Sequence, residues 1–206
     1  MARAFRRKGG SLEGRLDPGE REIVAGLLEQ TRSLLEPQVA DTGDPLADLV
    51  ADLESAFEGI GSPDGMPRGT PVGDRDPALA RLLPDAHRSD PEIAAEFRRL
   101  TEQDLRRRKT QALTTGIDAL RAVPVDTDRV VLTRAQAEAL LVALTDCRLL
   151  LAERLGVRAE EDVEALERRA VEQAGEPIAY AVAIYDFLTW LQESLAGALL
   201  GRRLFG

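Results

Sequence analysis

The sequence predicts a mainly α fold: a compact helical domain with a small two- or three-stranded β element. Three observations carry this. First, Asp-Pro pairs recur at Asp17-Pro18, Asp44-Pro45, Asp76-Pro77 and Asp90-Pro91, and Asp is a favoured helix N-cap while Pro suits the first helical position. Second, large apolar residues downstream return at steps of three and four. Third, the strand-like pieces are short: Arg3–Arg7, Leu12–Leu16 and Arg129–Leu132. A chain of 206 residues, 44% hydrophobic and 31% charged, suits one domain with its own core, so residues 1–206 read as a single helical domain.

In order along the chain, Arg3–Arg7 and Leu12–Leu16 form a hairpin across Gly9-Gly10. Asp17 caps the first helix, and Glu20 completes a capping box. Its stripe is Val24, Leu28 and Leu35, widened by Leu27 and Leu34. A second helix starts at Asp44, with Leu46, Leu49, Val50, Leu53 and Phe57 on one face and Gly59 as its stop. Residues 59–75 are rich in Gly and Pro and almost without large apolar residues, which predicts a mobile loop. Asp76-Pro77 opens a short helix ended at Leu83 by Pro84.

Asp90-Pro91 opens a long helix reaching about Val123. Ile93, Phe97 and Leu100 share one face, and Leu113, Ile117 and Leu120 another. From Phe97 to Leu113 the wheel turns by about 160°, so the helix kinks or changes packing partner near Asp104–Lys109. Thr133 and Gln136 make a second capping box, for a helix with the stripe Ala137, Leu140, Leu141, Leu144, Leu151 and Leu155 and a stop at Gly156. Glu160–Gln173 reads as a charged, exposed helix. The last helix, from Pro177 to about Leu200, is apolar almost all round, with the stripe Tyr180, Ile184, Leu188, Leu191 and Leu195. Such a helix belongs at the centre of a bundle or in a subunit interface; a homodimer through it is the second expectation.

An internal echo runs at an offset of 116. Leu16-Asp17, Glu20, Glu22, Leu28, Arg32 and Leu34-Leu35 match Leu132-Thr133, Gln136, Glu138, Leu144, Arg148 and Leu150-Leu151. Each copy is a short strand followed by a capped helix, so the two strands are expected to pair in one small sheet.

Several function classes are disfavoured. Cys147 is the one cysteine, so no intramolecular disulfide forms. The charged start leads into Gly9-Gly10-Ser11 and is not a secretory signal. The longest apolar run, Ile178–Tyr185, falls far short of the roughly 20 residues that span a bilayer. A cytoplasmic protein without membrane contact is expected. His87 is the single histidine, and HExxH, CxxC, GxSxG, Walker and GxGxxG patterns are all missing. The expectation is therefore a non-enzyme with no metal and no cofactor.

Charge separates along the chain. The net charge is -9, yet two basic islands stand out. One is the arm bearing Arg6, Arg7 and Lys8; the other holds Arg98, Arg99, Arg106, Arg107, Arg108 and Lys109. Both are candidates for nucleic-acid contact through phosphates. Arg98, Arg99, Arg106 and Lys109 span about 100° of the wheel, opposite the Ile93–Phe97–Leu100 stripe, and a solvated face is the plainer reading. Cys147 falls on the stripe with Leu140, as a small buried hydrophobe or as a redox thiol. Arg32 and Arg148 flank their stripes at equivalent places in the echo, which favours structural ion pairs.

Larger motifs carry a resemblance. They are Asp76-Pro77-Ala78-Leu79-Ala80-Arg81-Leu82-Leu83-Pro84-Asp85-Ala86-His87 with Asp90-Pro91-Glu92 and Glu96-Phe97-Arg98-Arg99-Leu100-Thr101-Glu102; Val131-Leu132-Thr133 with Leu140 to Arg154-Leu155-Gly156-Val157; and Leu188 to Leu195 with Trp190-Leu191-Gln192-Glu193. Their order and spacing resemble an actinobacterial family formerly described as a domain of unknown function and named for a proposed actinomycete oxidative-stress regulator (AosR). The resemblance covers nearly the whole chain outside residues 59–75. It implies a cytosolic, oxidative-stress-linked transcriptional regulator whose partners are DNA or a transcription protein. The alternative is a protein-binding adaptor or scaffold without DNA contact.

Overall fold

The computed structural model describes residues 2–36, 76–84, 91–172 and 177–201, with backbone alone for residues 91–101, 160, 167 and 172. The helix expected from Asp44, the 59–75 loop and His87 lie outside the described residues. The chain runs β1 (Arg3–Lys8), β2 (Ser11–Arg15), α1 (Pro18–Leu35), α2 (Pro77–Leu82), α3 (Pro91–Arg121), β3 (Arg129–Thr133), α4 (Arg134–Arg154), α5 (Glu160–Glu172) and α6 (Pro177–Leu199). The fold is mainly α with one three-stranded antiparallel sheet in the order β1-β2-β3.

Both capping boxes form. Asp17 accepts from the Glu20 amide while the Glu20 carboxylate accepts from the Asp17 amide, and Thr133 and Gln136 do the same for α4. Each box satisfies two otherwise unpaired amides at a helix start. Gly156 closes α4 at φ 72°, a left-handed conformation that suits glycine.

The sheet puts the two echoing strands side by side. β2 and β3 pair with Leu12 opposite Leu132, Gly14 opposite Val130 and Arg15 opposite Arg129. The offset of 116 carries Gly14 onto Val130, so Gly14 faces its own counterpart in the echo. The two echoing strands are thus related by a local two-fold through that pair. Leu12, Leu16, Val130 and Leu132 turn inward and join Val24, Leu28, Leu140, Leu144, Leu188, Leu191 and Leu195 in the main core. Burying each of these large side chains contributes on the order of 1.5–3 kcal/mol.

β1 carries a bulge. Arg3 lies opposite Arg15 and Arg6 opposite Glu13, three steps on β1 against two on β2. The extra residue lets Phe5 turn inward while Arg3 and Arg6 both face outward. The Phe5 ring then lies flat on Gly14: a Cβ there would come within 2.9 Å of it. The Phe5 amide donates to the Ser194 hydroxyl at 2.5 Å and ties β1 to α6.

Arg21 locks the sheet to α1. It is only 5% exposed. Its guanidinium donates to the carbonyls of Leu16 (2.8 Å), Thr127 (2.7 Å) and Pro124 (3.0 Å). The Leu16 amide donates to the Asp128 carbonyl at 2.8 Å, which extends the β2–β3 pairing.

The long helix α3 is continuous from Pro91 to Arg121 and spans about 46 Å. It packs against α1 and α4, while α4 packs against α6 and α2. Leu113, Ile117 and Leu120 are buried between them. A smaller cluster of Leu155, Leu166, Ile178, Ala181 and Val182 seats α5 on α6. The last helix is largely core, as its composition predicts, but Tyr180 departs from the expected stripe and is 55% exposed.

Replacing Gly14 by Ala forces its methyl into the Phe5 ring. The expected cost is about 1–3 kcal/mol, read as a lower urea midpoint. Adding Phe5→Leu should recover part of it. Unchanged stability of the single variant would show that the ring yields freely.

Candidate functional site

Two residues of the basic run on α3, Arg106 and Lys109, turn inward. The Arg106 guanidinium donates to the Leu35 carbonyl at 2.5 Å and to Glu102 at 2.8 Å. It caps the C-terminal end of α1, where unpaired carbonyls and the helix dipole favour a cation. Lys109 forms an ion pair with Asp146 of α4, and both side chains are mostly buried. The solvated face expected for these two residues is therefore a packing face. Arg107 pairs with Asp104 at 3.0 Å in the open. Arg108 is exposed and makes no ion pair among the described residues. Arg98 and Arg99 lie on α3 within 91–101, where only backbone is described.

Cys147 neighbours the Lys109–Asp146 pair. It is 1% exposed. Burial, partly offset by a hydrogen bond with Thr31 and reinforced by the Asp146 charge, pushes its thiol up to about 12. The neutral thiol therefore dominates at physiological pH, and the thiolate is the reactive form. Burial also raises the Asp146 carboxyl above its ordinary value, against the hydrogen bond and charge of Lys109.

The two echoing arginines part ways. Arg32 pairs with Glu36 at 3.7 Å, as expected. Arg148 meets no carboxylate among the described residues. It donates to Gln192 at 2.6 Å and to the Tyr185 hydroxyl at 3.3 Å, with its guanidinium 5.1 Å from the Tyr185 ring centre. A cation over an aromatic face takes the place of the expected ion pair.

The hairpin island has a different geometry. Arg6 lies opposite Glu13, and Lys8 opposite Ser11, on the outer face of the sheet. Arg7 lies opposite the inward Leu12 and so projects from the other face. The outer face gains Arg3, Arg15 and Arg129, which form one row across all three strands. Arg129 bonds Glu13 at 2.7 Å, Lys8 reaches the same carboxylate at 3.3 Å, and Arg15 meets Asp128 at 3.3 Å. The Arg129 hydrogen bond leads in holding the Glu13 carboxyl below its ordinary value. Val131, opposite Glu13, is 46% exposed, so the centre of this face is open. Sequence reasoning missed Arg15 and Arg129 because they are 114 positions apart. The signal was present in the echo: antiparallel pairing of the two repeated strands sets them opposite one another.

Among the described residues no three His, Cys, Asp or Glu side chains are grouped to hold a metal ion, and no helix is long and apolar enough to cross a membrane.

Lys109→Met strands the Asp146 charge and should cost about 3 kcal/mol at neutral pH, with Asp146→Leu in the same chain restoring most of it. Asp146 holds its proton more tightly folded than unfolded. Its contribution to stability is therefore present below its ordinary value of 3.8 and declines as pH rises; Lys109→Met should steepen that decline in urea midpoints across pH. Cys147 should react with a thiol reagent in urea but scarcely at all in the native chain. Rapid native labelling would show that α1 and α4 part readily.

Comparison with known proteins places the chain. A protein of Mycobacterium leprae (strain TN), provisionally named oxidative stress regulator AosR, is 34% identical over 149 residues, covering 66% of this chain and 64% of that protein. The match thus spans less than two thirds of the relative's own length. No solved structure matches the chain. The profile of one family, described as "Domain of unknown function (DUF2017)", matches residues 2–199. From the first strand to the end of the last helix, the chain belongs to the DUF2017 family.

Proposed function

We propose that this chain is a non-enzymatic, cytoplasmic regulator linked to oxidative stress that acts on transcription through contact with DNA. The observation that supports this is the outer sheet face, where Arg3, Arg6, Lys8, Arg15 and Arg129 gather against Glu13 and Asp128. The regulator name of the relative gives the surface a context. A chain of net charge -9 repels DNA at long range, so contact has to come from local cationic patches. Arg7, Arg107 and Arg108 are also exposed, but lie off this face. On this reading Cys147 acts as a redox thiol only when α1 and α4 separate, because its sulfur is sealed between them in the fold.

The second reading is an adaptor that binds a transcription protein, or a second copy of this chain through α6, without touching DNA. Val142 and Leu149 favour a protein partner: they are one heptad apart on α4, 47% and 36% exposed, on one helix face. A mobility-shift titration of duplex DNA at about 50 mM salt separates the two. DNA contact predicts a saturable shift at about micromolar protein, weakening steeply with salt. No shift at about tenfold higher protein leaves the adaptor. The control variant should be Arg107→Gln with Arg108→Gln, leaving Arg106 intact because it caps α1.

A further inference from the structure

We infer that the outer face of the three-stranded sheet is a phosphate-backbone site for duplex DNA; this rests on the DNA-contacting reading above and gives it a place. Arg3, Arg15 and Arg129 stand opposite one another on adjacent strands. Strands lie about 4.8 Å apart, and like charges directly opposite weaken a sheet. A row of three guanidiniums therefore calls for anions beside it, and Glu13 and Asp128 supply two.

The local carboxylates do not cancel the row. Glu13 is shared between Arg129 and Lys8, and Asp128 serves Arg15. Arg3 and Arg6 are exposed and have no ion pair among the described residues. The bulge in β1 is what brings Arg3 and Arg6 to the same face, since simple alternation would set them on opposite sides. The helices pack against the other face, through Phe5, Leu12, Val130 and Leu132.

The side-chain types select the kind of nucleic acid. Open sheets that bind single strands stack bases on aromatic rings. Here the outer positions hold Arg, Lys, Glu, Ser, Val and Thr, and the sheet's one aromatic residue, Phe5, is turned into the core. Such a face offers charge-assisted hydrogen bonds to phosphate oxygens and no platform for bases. The backbone of a duplex fits it.

The test compares salt dependence in the natural chain and three variants by fluorescence anisotropy with a labelled duplex. Arg6→Gln removes a cation with no ion pair among the described residues, so the fold is expected to survive, as circular dichroism would verify. The slope of log affinity on log salt should fall by about 0.9 for each phosphate that is no longer neutralised. The triple variant Arg6→Gln, Arg15→Gln, Arg129→Gln should lose at least about tenfold in affinity at about 100 mM salt. Arg107→Gln with Arg108→Gln should change affinity less than about twofold if the α3 run takes no part. DNA binding by the natural chain with an undiminished slope in Arg6→Gln and the triple variant overturns the sheet site and leaves the regulator reading standing. No binding by the natural chain at about 50 mM salt removes DNA contact altogether. Equal affinity for a single strand of the same length, abolished in the same variants, overturns the duplex assignment.

Discussion

The molecule depends on a buried cation that is satisfied by carbonyls. Arg21 stands at the start of α1 and reaches the end of β2 and the turn that leads from α3 into β3. Hydrogen bonds to a charged group are worth roughly 1.5–3 kcal/mol each, and leaving such a group unmet costs more than its bonds return. The clamp therefore holds the α3–β3 turn against β2, and with it the register that sets Arg15 opposite Arg129. Register errors in a sheet turn every side chain to the other face. A slip of one residue here would bury arginines and expose leucines.

The same frame explains why two basic islands of similar composition have different fates. On α3, Arg106 and Lys109 are drawn into the joints with α1 and α4, where a helix end and a buried carboxylate await them. Their charge stabilises the interior and is withdrawn from the surface. On the hairpin, alternation and one bulge keep the cations outside and the apolar residues beneath. Local charge in a sequence thus has no fixed meaning. What matters is whether the partner element brings an acceptor or leaves the side chain facing water.

Much of the fold was legible because its signals are local. Asp17 with Glu20 and Thr133 with Gln136 declare helix starts within four residues, and Gly9-Gly10 and Gly156 declare turns. The paired strands were legible through the echo between Leu16-Asp17 and Leu132-Thr133. The hidden part is tertiary. Nothing near Lys109 announces Asp146, and nothing near Arg148 announces Tyr185 and Gln192, each some forty residues away on another helix. Arg15 and Arg129 became neighbours only through strand pairing. Arg3 and Arg6 came to one face through a bulge that period-two alternation hides.

The bond from the Phe5 amide to Ser194 has a consequence for synthesis. It joins positions 189 apart, and the ring that covers Gly14 shares its core with Leu188, Leu191 and Leu195. Contacts of such long separation form late, because the loop between them must close first. A ribosome delivers the hairpin well before α6. Until α6 emerges, the apolar side of the hairpin lacks the cover of Leu188, Leu191 and Leu195. Chains that stall before α6 emerges carry that surface unprotected, and they become the natural clients of chaperones and proteases.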